Sequence, residues 1–318
     1  MRFTQLICML GLTAWTGIAA AQFPNRPVSI VVPFPPGGSN DIFARAIGLE
    51  LAKVWNQPVI IENRPGGGGS IGAGFVAKAA PDSYTFMLVS STFAINSVLQ
   101  IKLPYDPVKS FVPIALIGKG PMMFVAAPGL GVKSTAELIK LARSEPGKVT
   151  YASAGNGSIN QMGSEMLASA AGVKLTHVPF KGGAQAMNDL LGNHVNIYLG
   201  SVPQVMPNVR AGKVVPIAVT SPQRSPVAPD VPALAESLPN YSLELWWGIF
   251  GPAGMPREVV ASINSEINKI IETPKMRQFL SNEAALPSPI SPEQFREFFS
   301  KELQYWGKVA KDADIKIE

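Results

Sequence analysis

The chain has 318 residues with 27 Lys+Arg against 22 Asp+Glu, long enough to bury a large core in one or two domains. Hydrophobic residues make up 47% and charged residues 15%; the latter is far below the roughly 25% of an average soluble domain, which excludes disorder and coiled coil. The charge excess is too small for a nucleic-acid binder, and 29 Gly with 29 Pro punctuate ordered elements.

Residues 1–21 read as a signal peptide: Arg2 supplies the basic start, Leu6 to Trp15 the apolar stretch and Ala19-Ala20-Ala21 the small-residue cleavage site. Its apolar stretch is short for a membrane span, which needs about 20 residues. Cys8 is the single cysteine, so the mature chain excludes thiol catalysis, cysteine metal sites and disulfides.

A unit of strand, small polar loop and helix then repeats. Val28 to Val32 leads into Pro33-Phe34-Pro35-Pro36-Gly37-Gly38-Ser39-Asn40-Asp41 and a helix with Ile42, Ala46 and Leu49 on one face. Val59 to Ile61 leads into Gly66 to Gly69 and a helix near Ser70; Tyr84 to Val89 leads into Ser90-Ser91-Thr92. After two short runs, Ile114 to Ile117 and Phe124 to Ala127, the pattern resumes. Val149 to Ala152 precedes Ser153 to Ser158, His177 to Phe180 precedes Lys181-Gly182-Gly183, and Val195 to Leu199 precedes Gly200-Ser201. A strand around Trp247 to Phe250 and helices over 258–271 and 292–309 complete the chain.

This alternation predicts an α/β fold of two lobes, each with a mostly parallel sheet flanked by helices and a ligand cleft between them. Lobe 1 is expected over 22–118 and 233–318, and lobe 2 over 119–232. The crossings fall near Gly118 to Pro121 and in the Pro-rich Ser221 to Pro232, and the C-terminal helix should pack back on lobe 1. Ligands bind beyond the carboxyl ends of such strands. The loops there carry glycines that admit a ligand to the backbone and hydroxyls that donate hydrogen bonds, next to helix starts that favour an anion.

Catalytic readings are weak. Gly68-Gly69-Ser70-Ile71-Gly72 matches the nucleophile-elbow pattern of an exported serine hydrolase using Ser70, but only His177 and His194 could serve it, and both belong to the other lobe. Gly67, Gly69 and Gly72 fit a dinucleotide pattern without the acid it needs about 20 residues on. No P-loop occurs, and two isolated histidines make no zinc site. Neither catalysis nor a cofactor or metal is expected. The Trp246-Trp247 pair is expected in the core. An effector-sensing domain of a transcription regulator would need a helix-turn-helix segment where this chain has an export signal.

Several segments together resemble the substrate-binding proteins of tripartite tricarboxylate transporters, the Bug (Bordetella uptake) group. They are Val-Pro-Phe-Pro-Pro-Gly-Gly-Ser-Asn-Asp at 32–41, Glu-Asn-Arg-Pro-Gly-Gly-Gly-Gly at 62–69, Tyr-Ala-Ser-Ala-Gly-Asn-Gly-Ser at 151–158, Val-Pro-Phe-Lys-Gly-Gly at 178–183, Asp-Leu-Leu-Gly-Asn at 189–193, Ala-Val-Thr-Ser at 218–221, Pro-Asp-Val-Pro at 229–232 and Gly-Ile-Phe-Gly-Pro-Ala-Gly-Met-Pro at 248–256. The resemblance implies a type II periplasmic binding protein, here expected as a monomer, that captures a di-, tri- or aromatic carboxylate and delivers it to membrane permease subunits. It implies ligand contact by the first-strand loop (Phe34, Gly37, Gly38, Ser39, Asp41), by Ser90, Ser91 and Thr92, by Gly155, Asn156, Gly157 and Ser158, and by Gly182 and Gly183; Ser201 joins them as the hydroxyl after the last such strand. The chain departs from the family near Asn160, often histidine, and at Phe180, often tyrosine.

Overall fold

The computed structural model describes residues 23–99 and 102–312; the expected signal peptide and Cys8 lie outside the described residues. The elements run β1 (Val28–Val32), α1 (Ser39–Trp55), β2 (Val59–Asn63), α2 (Ser70–Ala77), β3 (Thr85–Ser90), α3 (Ser91–Leu99), β4 (Phe111–Ala126), α4 (Thr135–Ser144), β5 (Thr150–Ser153) and α5 (Ile159–Ala171). They continue with β6 (Thr176–Pro179), α6 (Gly183–Leu191), β7 (Ile197–Ser201), α7 (Val202–Arg210), β8 (Val215–Val219), β9 (Glu244–Pro252), α8 (Arg257–Glu272), α9 (Pro274–Asn282), β10 (Leu286–Pro287) and α10 (Pro292–Asp312).

The strands form two sheets joined through β4. The first has the order β2-β1-β3-β9-β4 and the second runs β4-β7-β5-β6, with β8 also on β4. The pairs made by the strand–loop–helix units, β1 with β2 and β3, and β5 with β6 and β7, are parallel as their helical crossovers require. The sheets are nevertheless mixed, because β9 and β4 run antiparallel to their neighbours. The two short runs expected at Ile114–Ile117 and Phe124–Ala127 are one strand of 16 residues. Its first part pairs with β9 and its last part, Met122 to Ala126, with β7 and β8. The crossing expected at Gly118–Pro121 thus lies inside a continuous strand, whereas Ser221–Pro232 carries no strand or helix.

Local chemistry explains these elements. β1 is a β-branched run whose Val28, Ile30, Val31 and Val32 have no exposed surface, as a central strand covered on both faces demands. α1 begins after a segment that two prolines and two glycines keep out of helix, buries Phe43, Ile47 and Leu51 at four-residue spacing, and stops at Asn56 in the left-handed conformation. Phe43 stacks on Trp247 at 4.0 Å and 11°. Both tryptophans of the pair are buried, and the Trp246 indole donates to Glu302 on α10 at 2.7 Å. α10 packs on α3 and β4, which puts the C-terminal helix back on the first sheet. No helix among the described residues is long and apolar enough to cross a membrane.

Candidate functional site

A cavity of about 270 Å³ opens where the carboxyl ends of the parallel strands of both sheets meet. From the first sheet come the β1–α1 loop from Phe34 to Asn40, Ser90 at the end of β3, Thr92 on α3 and Leu245 on β9. From the second come Ala154, Ile159, Asn160, Lys181 to Ala184, Tyr198, Ser201, Pro203 and Gln204, with Met122 where β4 passes over.

Several helices bring their first turns to this wall, and one of them, α5, is capped by Ser158. Gly38 precedes α1, Gly182 precedes α6 and Ser201 precedes α7, and none of these three helices has a side chain capping its first N–H groups. Away from the wall, α4 and α9 are closed by Ser134 and Thr273, while α2 and α8 have no side-chain cap. Uncapped N–H groups carry partial positive charge and seek an acceptor, so the wall is electropositive without an arginine on it. Lys181 and Glu283 supply the only charged side chains lining it, among the described residues.

Phe34, Gly37, Gly38, Ser39, Ser90, Thr92, Gly182, Gly183 and Ser201 line the cavity; Asp41, Ser91, Gly155, Asn156, Gly157 and Ser158 do not. The displaced residues are occupied elsewhere. Asp41 is 4% exposed and braces its own loop, accepting from the Gly37 N–H at 3.0 Å, from Asn63 at 3.0 Å and from Arg45 at 2.9 and 3.0 Å. Ser91 is fully buried, accepting from the Trp246 N–H at 3.0 Å. Ser158 caps α5 by accepting from the Gln161 N–H, and the Gly157 N–H donates to the Gln161 side chain at 2.8 Å. Gly155 and Gly157 have φ of 116° and 72°, so their lack of Cβ serves the turn into α5.

Burial opposes ionisation of Asp41, but the bonds from Arg45, the Gly37 N–H and Asn63 outweigh it and hold its carboxyl below the ordinary value. A carboxyl depressed on folding contributes stability at neutral pH that is lost as pH falls through about 4 and below. Arg45 is more than half exposed, so solvent screens its share of that effect. Asp41→Asn is expected to lower the neutral-pH melting temperature by roughly 2–6 °C and to flatten its fall between pH 5 and 3. Melting curves across that range check it.

The hydrolase reading finds no geometry. Ser70 opens α2, while the His177 ring bonds Ser153 at 2.6 Å and His194 bonds Asp189 at 3.2 Å. Burial depresses His177 to about 4, and Ser153 is fully buried, so this pair ties β5 to β6.

Tyr198, Gln204, Asn40, Leu245 and Glu283 line the cavity without having been singled out as ligand contacts. Tyr198 donates to Gln204 at 3.0 Å and accepts from Asn160 at 3.5 Å, so these three form one polar floor. Its position two residues before Gly200-Ser201 in the last parallel strand was the available signal. Glu283 comes from a segment with no motif around it.

Two sheets joined by crossing strands, with a donor-lined cavity at their shared edge, define a solute-binding protein of the periplasmic type. Residues 43–315 match the Tripartite tricarboxylate transporter family receptor, and the chain belongs to that family. Among solved structures it is similar to Rhodopseudomonas palustris Rpa4515 with adipate (33% identity, TM-score 0.89, covering 92% of this chain and 99% of that one). It is likewise similar to the periplasmic binding protein BugD (31%, 0.87, 93% and 100%) and to Rhodopseudomonas palustris MatC with bound malate (32%, 0.84, 90% and 99%).

Proposed function

We propose that this chain captures a small carboxylate, with two or more carboxyl groups, in the periplasm for a membrane transporter of the tripartite tricarboxylate type. The observation that carries the reading is the convergence of uncapped helix N-termini from both sheets on one cavity. α1 offers donors on one side, α6 and α7 on the other, and Lys181 adds a full positive charge beside α6. Two carboxylates at the ends of one short skeleton satisfy both sides. Adipate and malate, held by the two similar proteins, have that form. The signal-peptide pattern of residues 1–21 and the family's periplasmic relatives support the location.

Closure of two lobes, 22–118 with 233–318 against 119–232, is part of this proposal. The strand β4 and the 220–243 passage are the only connections it needs to bend. The test is mass spectrometry of ligand released from the purified exported protein, followed by melting curves with mono- and dicarboxylates. A dicarboxylate at one hundred times its dissociation constant is expected to add about 2.7 kcal/mol of stability. No response to any di- or tricarboxylate, with a non-carboxylate released instead, would refute the reading.

A further inference from the structure

The hydroxyls and amides of the cavity wall both donate and accept, and one of its acceptors is charged. Glu283 is the single acid on the wall, and its carboxylate makes no hydrogen bond or ion pair among the described residues. Lys181 lines the same cavity without pairing with it, which leaves its ammonium for a ligand carboxylate.

Glu283 is fixed in place by the strand that joins the two sheets. It follows α9 directly, and the next residue, Ala284, turns at φ 53°. The chain then lies along β4, where Leu286 and Pro287 pair with Lys119 and Gly118. A Cβ on Gly118 would stand 2.8 Å from the Leu286 carbonyl oxygen, so that glycine is what lets the segment seat. Burial pushes the Glu283 carboxyl above its ordinary value, as for an acceptor whose donor is missing.

A carboxylate ligand with no other polar group offers only acceptors at neutral pH. Bound here, it would displace water from Glu283 and return no donor, while facing a like charge. A ligand with a hydroxyl or ammonium group on its skeleton removes that penalty.

We propose that Glu283 is a specificity determinant that accepts hydrogen bonds from a hydroxyl or ammonium group on the ligand, so that hydroxy- or amino-carboxylates are selected over unsubstituted acids. This rests on the carboxylate reading above. Calorimetry on the exported protein compares succinate, malate and aspartate, and then adipate, 2-hydroxyadipate and 2-aminoadipate. In at least one series a substituted acid should bind about tenfold or more tightly than its parent acid. Glu283→Ala should cut that preference to about twofold and leave the unsubstituted acid bound as well or better. Glu283→Gln keeps a neutral acceptor, so it should retain preference for a hydroxyl and lose preference for an ammonium; ligand-free melting curves establish that both variants fold. Unsubstituted acids bound as tightly as substituted ones, or an undiminished preference in Glu283→Ala, overturn this inference and leave the carboxylate reading standing. Failure of all six acids to bind overturns this inference, and the ligand-release experiment then decides the carboxylate reading separately.

Discussion

Gly182→Asp should abolish carboxylate binding while leaving the fold as stable as before or slightly more so. Gly182 precedes α6 with φ 172°, an extended backbone that any residue adopts, and a Cβ there meets nothing within 4 Å. An aspartate at this position is a good helix cap, with its carboxylate against the first N–H groups of α6, and gains a few tenths of a kcal/mol over glycine. Those are the groups proposed to hold the ligand. The variant therefore carries an internal competitor and a repelling charge, and affinity should fall by roughly a hundredfold or more. Gly182→Ala fits the same space without a charge and should bind within a few-fold of the parent. Calorimetry with the tightest-binding dicarboxylate, alongside ligand-free melting curves, decides the matter. An aspartate variant that binds like the parent would remove α6 from the anion site.

The parallel halves of both sheets were legible because each strand there is a short apolar run next to a glycine- or serine-rich turn. Val28–Val32 coincides with β1, and five more expected strands fall within two residues of β2, β3, β5, β6 and β7. β4 was not legible as one strand. Lys119, Gly120 and Pro121 interrupt its apolar pattern, and the sequence does not reveal that β9 runs beside it across that interruption. The reason for those small residues is tertiary: Gly118 and Gly120 accommodate the carbonyls of Ala284 and Leu286, a segment more than 160 positions away. β8 and α9 were passed over for a related reason. Val215–Val219 includes a proline tolerated outside the central ladder, and α9 is a short polar helix that buries only Met276 and Leu280.

The site divides along the same line. Loops whose glycines and hydroxyls face a ligand and loops whose glycines and hydroxyls build the turn have the same composition, so the sequence pointed to both. Phe34 to Ser39, Ser90, Thr92, Gly182, Gly183 and Ser201 reach the cavity, whereas Gly155 to Ser158 spend their conformational freedom and hydroxyl on the start of α5. Asp41 shows the converse: its charge belongs to the geometry of the loop and is satisfied by Gly37, Asn63 and Arg45 before any ligand arrives. Tyr198 and Glu283 were hidden because an aromatic in a buried strand and an acid at a helix end are ordinary in sequence. Only the topology brings them to one wall.

The largest effect on stability is expected from Thr220→Val, at the point where the chain leaves β8 and passes the junction of the two sheets. Thr220 is fully buried. Its hydroxyl accepts from the Met122 N–H at 2.8 Å and donates to the Leu243 carbonyl at 2.7 Å. Its own backbone repeats the tie, the N–H donating to the Met122 carbonyl at 2.9 Å and the carbonyl accepting from the Leu243 N–H at 3.0 Å. One residue therefore satisfies the polar groups of two passing segments just where β4 changes sheets. Valine has nearly the same shape but no hydroxyl, so it leaves a buried N–H and a buried carbonyl unpaired, at a cost of roughly 2–4 kcal/mol. The melting temperature should fall by roughly 5–15 °C at 2–4 °C per kcal/mol. Thr220→Ser keeps both side-chain bonds and loses only a methyl group, so it should cost about 1 kcal/mol. Thr220 does not line the cavity, and below its melting temperature the valine variant should still bind carboxylate. Denaturant unfolding of the two variants separates the hydroxyl from the methyl: equal destabilisation by Val and Ser would show that packing, and not the hydrogen-bonded tie, holds this crossing together.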